Sequence, residues 1–309
     1  MEIEQELTKI TPQGETLLTI GVFDGVHAGH RYLLNRLQQQ AAKENLLSGV
    51  VTFNPHPQSV LHPAHQLPWL TDLDDRVTIL RQLGLNIVAV LTFTPKLAQL
   101  SARDFMSLLR KYLKVRGIMV GPDFALGRGG EGNIGLIRTL ADEMEFTVHV
   151  SPPFTIDGKV VSSTLIRQAL ARGDMKIVEK LMGRRFYLKG KVITSDKRGR
   201  LLGFPTANLD MKPQQALPDD GIYATIALVN GEPFPSATNV GTRPTFGEGE
   251  RMVETYLLNY EGDLYGRQLR VEFVKKVRDE QRFSSVEELI AQMGKDVQAV
   301  DAILAGDLK

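Results

Sequence analysis

The ten residues GVFDGVHAGH, positions 21–30, place three glycines, one aspartate and two histidines directly after the apolar run TLLTI. A helix that begins near Gly29 would offer its first backbone N–H groups and the positive end of its dipole to an anion. His27 and His30 are three residues apart at that helix start. Both imidazoles can therefore reach one phosphate and donate to oxygens that gain charge during phosphoryl or nucleotidyl transfer. The pattern indicates a phosphate site; the alternative is a capped helix with two surface histidines.

A second cluster with the chemistry of a phosphate clamp lies in VVSSTLIRQAL, residues 160–170. Ser163 and Thr164 can cap the start of a helix, and Arg167 lies about one turn further along the same side. An arginine in that position can bind the β- and γ-phosphates of a nucleotide through charge-assisted hydrogen bonds. A simple helix cap with a solvated arginine is the other interpretation.

The stretch GRGGEG, residues 127–132, matches the glycine pattern of dinucleotide-binding sites. That pattern binds a pyrophosphate where a strand, a tight turn and a helix follow one another directly. Here PDFAL separates the glycines from the strand candidate GIMVG, which favours a mobile glycine loop over a substrate instead of an NAD site. The sequence contains no G-x-x-x-x-G-K-[ST] motif, so kinase activity of the P-loop class is excluded.

Composition limits the remaining classes. A chain of 309 residues with 42% apolar and 24% charged residues is typical of a globular protein with two domains. The formal net charge of +1 predicts neither nucleic acid nor an anionic membrane as a partner. The absence of cysteine excludes a disulfide scaffold, a zinc–thiolate site and a cysteine nucleophile. The N-terminal MEIEQELTKI lacks the apolar core of a signal peptide, so we expect a soluble cytoplasmic protein, as a monomer or weak homo-oligomer.

The first part of the chain, residues 1–183, alternates apolar runs with amphipathic ones. Continuous apolar runs rich in Val, Ile and Leu are typical of strands that are buried on both faces. The strand candidates are TLLTIGVF, LSGVVTF, NIVAVLTF, GIMVG and FTVHVS, and the helix candidates between them include DLDDRVTILRQLG, SARDFMSLLRKYLK and GLIRTLADEME. This alternation predicts a doubly wound parallel sheet, which binds ligands at the carboxyl ends of its strands.

The remainder, residues 184–309, has strand patterns without intervening helices. The strand candidates are FYLKGKVITS, GIYATIALV, MVETYLLNY and QLRVEFVKKV, and helical periodicity returns only in SSVEELIAQMGKDVQAVDAIL, with Val286, Leu289, Ile290 and Met293 on one face. These patterns predict a small antiparallel β-barrel with a C-terminal helix.

Motifs throughout the chain resemble those of the bacterial bifunctional riboflavin kinase/FAD synthetases. In the first part these are GVFDGVHAGH, TFNPHP, LTDLDDRVTIL, VGPDFALG and VVSSTLIR. In the second part they are RGRLLGFPTANL, GIYAT, NVGTRPTF, DLYGR and RDEQRF. The resemblance implies an α/β Rossmann-like FMN adenylyltransferase domain (1–183) followed by a six-stranded barrel with riboflavin kinase activity (184–309).

For the first domain, the resemblance implies an ATP site beside a flavin site. The residues that it assigns to catalysis are His27, His30 and Arg167; those to ATP binding are Gly21, Phe23, Asp24, Gly25, Ser163 and Thr164; those to the flavin are Asp123 and Phe124.

For the second domain, the resemblance implies a kinase with a carboxylate base. It assigns the base to Glu254, ATP contacts to Lys191, Gly203, Thr206 and Asn208, Mg²⁺ ligation to Thr206 and Asn208, and flavin contacts to Arg278 and Phe283. Hydroxyl and amide oxygens suit Mg²⁺ next to ATP phosphates. Arg198 and Arg200 add positive charge to the same region.

Two positions depart from the family pattern, since Leu126 stands where relatives commonly have phenylalanine and Ser195 where they have glycine. Neither change removes a group that we assign to chemistry. Two alternatives stay open at this point. One is a nucleotidyltransferase that acts on another phosphorylated acceptor, and the other is a flavin-binding regulator that has lost an activity.

Overall fold

The computed structural model describes residues 2–64, 67–194, 203–242 and 251–306. The chain divides into two compact units, Met1–Ser163 and Thr164–Lys309. A domain boundary after residue 183 stays a prediction, because the division lies within the helix Ser163–Leu170.

The first unit is built on a parallel sheet whose strands match the predicted ones. The strands are β1 (Thr16–Ile20), β2 (Leu47–Asn54), β3 (Ile87–Thr92), β4 (Val115–Val120) and β5 (Thr147–Val150), in the spatial order β3-β2-β1-β4-β5. All five residues of β1 are buried, because this central strand is covered on both faces.

Helices cover the sheet at the positions that the amphipathic patterns predict. They are α1 (Glu2–Thr8), α2 (Ala28–Lys43), α3 (Pro57–Leu61), α4 (Leu73–Gln82), α5 (Pro95–Ala98), α6 (Ala102–Leu113) and α7 (Ile134–Met144). The expected N-cap of α6 is confirmed, since the Ser101 side chain accepts from the backbone N–H of Asp104. Gly84 follows α4 with a φ of 82°, as expected of a helix stop.

The strand order places a topological switch point at β1. From β1 the chain proceeds outward through β2 and β3, whereas β4 pairs with the other side of β1 and β5 lies beyond it. Loops that leave the carboxyl ends of two such strands diverge and open a crevice between them. The crevice here lies after Ile20 of β1 and Val120 of β4.

The second unit is a closed barrel of six antiparallel strands, as predicted. After a hairpin of β6 (Thr155–Ile156) and β7 (Lys159–Val160), the chain forms α8 (Ser163–Leu170) and α9 (Met175–Met182). The barrel strands are β8 (Phe186–Ile193), β9 (Thr206–Asp210), β10 (Gly221–Val229), β11 (Glu232–Thr242), β12 (Arg251–Leu257) and β13 (Gln268–Arg278), in the closed order β10-β11-β12-β9-β8-β13.

Two barrel strands, β9 and β11, were not predicted, because their sequences contain proline or asparagine. In β11, Pro233 and Pro235 lie where the strand pairs with β10 but not yet with β12, whose pairing starts at Ser236. A proline without its N–H is tolerated at such an edge position.

Hydroxyl groups form a continuous cluster inside the barrel. Thr225 Oγ1 lies 2.7 Å from both Ser236 Oγ and Thr238 Oγ1, and Thr238 Oγ1 lies 3.0 Å from Thr255 Oγ1. The four residues are buried, so these hydroxyl groups satisfy one another away from water.

The terminal helix, α10 (Val286–Leu304), packs on the barrel through its second half. Val300 and Leu304 are buried against the outer face of β10, whereas Val286 and Ile290 are exposed. The apolar face expected from the sequence is therefore present, but its first half does not contribute to the core. In the described part of the chain, none of the helices is both long and apolar enough to span a bilayer.

Candidate active sites

The two histidines of the first motif lie together at the start of α2. His27 is the N-cap residue, and its Nδ1 accepts from the backbone N–H of His30 over 3.2 Å. The two rings are stacked, with centroids 3.6 Å apart and an angle of 15° between their planes. Because Nδ1 is an acceptor, a neutral His27 ring carries its proton on Nε2 and can donate it in a hydrogen bond.

The loop before the histidines is held by a buried carboxylate. Asp24 is 3% exposed and accepts from the backbone N–H groups of Leu70, over 2.9 and 3.1 Å, and of Thr71, over 3.2 Å. Phe23 and Gly25 on either side have φ angles of 56° and 82°, which produce the sharp bend. Asp24 therefore shapes the loop, and its predicted contact with ATP stays a prediction.

Arg76 of α4 is a buried cation that the sequence analysis missed. It is 5% exposed and donates to the carbonyl oxygens of Val22, over 3.0 Å, and Phe53, over 2.9 Å. Burial lowers its pKa, while the charges of Asp24 and Asp72 oppose that change. An arginine on an amphipathic helix ordinarily points to water, so the sequence carried no signal for this role.

Close packing surrounds the start of α2. A Cβ on Gly29 would lie 3.1 Å from the carbonyl oxygen of Val161 and 3.2 Å from the His27 ring, so a larger residue would push against the histidine. Ser163 Oγ donates to the carbonyl oxygen of Asp24 over 3.0 Å. The structure thus brings Ser163 to the histidine loop. Thr164 and Arg167 follow on the same helix but belong to the second unit.

Asp123 and Phe124 follow β4, on the other side of the switch point from the histidine loop. Asp123 is exposed, and Phe124 is half-buried against the core. The two segments therefore leave neighbouring parallel strands at the same edge of the sheet.

The glycine loop beyond β4 is anchored to α6. Leu126 and Gly132 exchange backbone hydrogen bonds over 3.2 and 2.8 Å, and Glu131 accepts from the backbone N–H of Ala102 over 2.9 Å. GRGGEG does not join a strand directly to a helix, as a dinucleotide site requires. Leu126 itself is buried in the core, where it takes the place of the aromatic residue expected from the family pattern.

The candidate residues of the barrel lie in one row across five strands of its outer face. Strand register pairs Glu254 of β12 with Asn208 of β9 on one side and with Asn239 of β11 on the other. Directly opposite residues in antiparallel strands point to the same face, with Cβ atoms about 4.5–5.5 Å apart. The full row is Ile193, Asn208, Glu254, Asn239, Ile222 and Arg278. Asn239 was not among the predicted site residues.

Thr206 and Asn208 are two positions apart on β9 and so share that outer face. Asn208 is 4% exposed, and Gly203 before the strand has a φ of 84°. The hydroxyl and amide oxygens are hard donors of the kind that a magnesium ion shares with phosphate oxygens, so these residues fit such an ion. Among the residues that the structure describes, there is no group of three or more His, Cys, Asp or Glu side chains suited to a metal.

A cavity of about 590 Å³ opens beside Thr206. Its walls combine aromatic and aliphatic side chains with two carboxylates from the segment after β12: Val192, Pro205, Thr206, Ala207, Leu257, Tyr260, Glu261, Gly262, Asp263, Leu264 and Tyr265. Lys191, on β8 next to Val192, is exposed. An apolar cavity next to a polar row is the usual form of a site for a flat ring with a charged tail.

Arg278 lies at the end of the row but is bound to the terminal helix. It donates to both carboxylate oxygens of Asp296, which is buried on α10. The guanidinium carbon also lies 5.8 Å from the ring centre of Phe283. The structure therefore brings the two predicted flavin residues close together, and their contact with a flavin stays a prediction.

Several sequence assignments lie outside the described residues. Ser195, Arg198 and Arg200 are among them, as is the second part of the GTRPTF motif.

Comparison with known proteins follows the same division of the chain. The family model described as FAD synthetase matches residues 9–165, and that described as riboflavin kinase matches residues 182–304. A bifunctional riboflavin kinase/FMN adenylyltransferase of Escherichia coli is 40% identical over 92% of this chain and 91% of its own. The protein of that description from Bacillus subtilis is 34% identical over 93% and 92%.

A solved structure is similar over nearly the whole chain. It is titled as a macrolide-efflux protein from Streptococcus pneumoniae and matches with a TM-score of 0.88 and 28% identity, covering 97% of both chains. Its title describes that protein; its bearing here is on the fold.

Proposed function

The chain belongs to the family of bifunctional riboflavin kinase/FMN adenylyltransferases, and from this premise we propose which residues carry out each of its two reactions. It phosphorylates riboflavin with ATP to give FMN, and it transfers the adenylyl group of a second ATP to FMN to give FAD and pyrophosphate. The two reactions make different chemical demands on the protein.

For adenylyl transfer, we assign His27 and His30 to the ATP phosphates. The FMN phosphate attacks the α-phosphorus, and because a phosphate monoester is already mostly ionised at neutral pH, no general base is needed. Alignment and stabilisation of developing charge are sufficient. The observation that supports this role is the acceptor bond at His27 Nδ1, which leaves Nε2 as the proton-bearing nitrogen.

The remaining contacts of this site follow from the switch point. Gly21, Phe23 and Gly25 shape the phosphate loop, and Asp123 and Phe124, which leave the neighbouring strand, are proposed to contact the flavin. The proposed contact of Ser163, Thr164 and Arg167 with the ATP phosphates rests on the family resemblance.

For the kinase reaction, we assign Glu254 as the general base. The nucleophile is a primary alcohol that stays protonated at neutral pH, so a positioned carboxylate that accepts its proton is useful. The observation that carries this assignment is the direct cross-strand pairing of Glu254 with Asn208. The base therefore lies beside the residue that is proposed to hold the metal and the phosphates.

We further propose that Thr206 and Asn208 ligate Mg²⁺ together with the ATP phosphates, and that the adenine enters the cavity beside Thr206. When bound, Mg²⁺ would neutralise charge on the transferring phosphate. Lys191 and the backbone at Gly203 would contact the phosphates, and Arg278 and Phe283 would lie on the flavin side. We also propose that the protein works in the cytoplasm as a monomer or weak homo-oligomer without nucleic acid.

The test is to incubate purified protein with riboflavin, ATP and Mg²⁺ and to follow FMN and FAD separately by chromatography. We expect His30→Ala to retain FMN formation and to lose most FAD formation. Glu254→Gln should do the reverse when FMN is supplied, with FMN formation reduced by about 10²–10⁴-fold. If both folded variants lost both products equally, the assignment of two separate sites would be wrong.

A further inference from the structure

Asn239 occupies a position in the kinase row that none of the assignments above uses. It lies on β11, directly opposite Glu254, and Glu254 lies directly opposite Asn208. The carboxylate proposed as the base therefore has an amide side chain on each side, at about 4.5–5.5 Å between Cβ atoms. One amide is proposed for the metal, and the other has no assigned role.

The orientation of the Asn239 amide follows from its hydrogen bond with Glu280. An ionised carboxylate only accepts, so the NH₂ group of Asn239 points to Glu280 and Oδ1 points away from it. Oδ1 is shielded from solvent, and no donor among the described residues reaches it. A buried amide oxygen without a donor is uncommon in a folded protein and calls for an explanation.

Glu280 is held in place by the absence of a side chain at Gly241. Gly241 lies two residues after Asn239 on the same face of β11, and a Cβ there would occupy the space of the Glu280 carboxylate. Burial and the charge of Asp220 raise the pKa of Glu280, and the hydrogen bond from Asn239 opposes them. The protein thus places a carboxylate at an unfavourable position, where it orients the amide.

We propose that Asn239 Oδ1 accepts a hydrogen bond from a hydroxyl of the riboflavin side chain, beside the terminal hydroxyl that faces Glu254. Asn239 is then a specificity-determining residue of the kinase reaction, and Glu280 is the residue that positions it. The inference rests on the proposed role of Glu254. An oxygen that can only accept selects a hydroxyl donor, and the polyol chain carries such donors next to its reacting end.

The test compares riboflavin with analogues that each lack one non-terminal hydroxyl of the side chain. For the unchanged protein, we expect kcat/KM for one analogue to be about tenfold below that for riboflavin, because one hydrogen bond is lost and the oxygen stays unpaired. In Asn239→Leu, which removes the acceptor at similar volume, the ratio for that analogue should fall to about one.

Glu232→Leu is the matched control, since Glu232 is an exposed residue at the opposite end of the same strand. It should keep the ratio of the unchanged protein. The proposal is overturned if Asn239→Leu, folded as judged by circular dichroism, discriminates among all analogues as the unchanged protein does. The Glu254 assignment fails separately, if Glu254→Gln retains kinase activity on riboflavin itself.

Discussion

Arg278 donates through Nε and Nη2 to the two carboxylate oxygens of Asp296, over 2.9 and 2.7 Å, and so joins the end of β13 to the terminal helix. Only 16% of the Arg278 side chain and 7% of the Asp296 side chain are exposed. A charge pair at this depth is sensitive to the loss of one partner, since the other charge then stays buried alone.

Asp296→Asn should therefore destabilise the barrel unit by about 2 kcal/mol, because it weakens charge-assisted hydrogen bonds at a buried site. Urea unfolding followed by circular dichroism measures the change, and hydrogen exchange of α10 locates it. Asp301→Asn, at an exposed position of the same helix, serves as the control. Equal effects of the two substitutions would contradict a specific role for the pair.

His27 should combine a structural role with a chemical one, and the two can be separated. His27→Asn keeps an N-cap acceptor but removes the Nε2–H donor, so we expect FAD formation to fall by about 10²-fold with little loss of stability. His27→Ala should lose, in addition, about 1 kcal/mol of stability from the cap. FMN formation by both variants provides the internal reference. Retention of FAD synthesis by His27→Asn would show that the donor is not used.

Glu280→Gln should stabilise the protein more at pH 7 than at pH 4. Folding raises the pKa of Glu280 above its ordinary value of 4.5. The residue therefore contributes stability below that value and loses this contribution as the pH rises through its higher folded pKa. At neutral pH the ionised carboxylate is unfavourable in the fold, and glutamine removes that charge. Urea unfolding at the two pH values tests the sign, which is wrong if the difference from the unchanged protein is the same at both.

Gly241→Ala should impair the kinase without unfolding the barrel. The added Cβ would displace the Glu280 carboxylate, which is the end of a flexible side chain and can move. Asn239 then loses its orienting partner, so we expect KM for riboflavin to rise up to about tenfold. Gly294→Ala is the matched control, because Gly294 lies on α10 with open space around it. An unchanged KM in Gly241→Ala would contradict the positioning role of Glu280.

Thr238→Val should weaken the barrel by about 1–3 kcal/mol, since it leaves buried hydroxyl groups of the interior cluster without a partner. Thr238 Oγ1 is the link between Thr225 and Thr255. Thr242→Val, at the exposed end of the same strand, should have little effect when both are compared by urea unfolding. A loss no larger than that of the control would show that the cluster adds nothing to stability.

Local patterns in the sequence were sufficient for most of the architecture. Apolar runs and amphipathic spacing predicted the five parallel strands, the helices between them and four of the six barrel strands, because burial of one face imposes its period on the chain. The closed six-stranded barrel and the roles of His27, His30, Glu254 and Asn208 came from motif resemblance. The prolines of β11 concealed a strand, since local propensity does not show which positions of a strand lack a neighbour.

What the sequence by itself determined is the succession of elements and the identity of the groups that bear the chemistry. The tertiary structure alone decided that Asn239 lies between Glu254 and Glu280, that Gly241 makes room for a carboxylate, and that Arg76 is buried. Each of these depends on strand register or on packing between segments that are distant along the chain. Such contacts leave no periodic signal, because a residue's neighbours in space are set by the fold as a whole and not by the residues beside it in the chain.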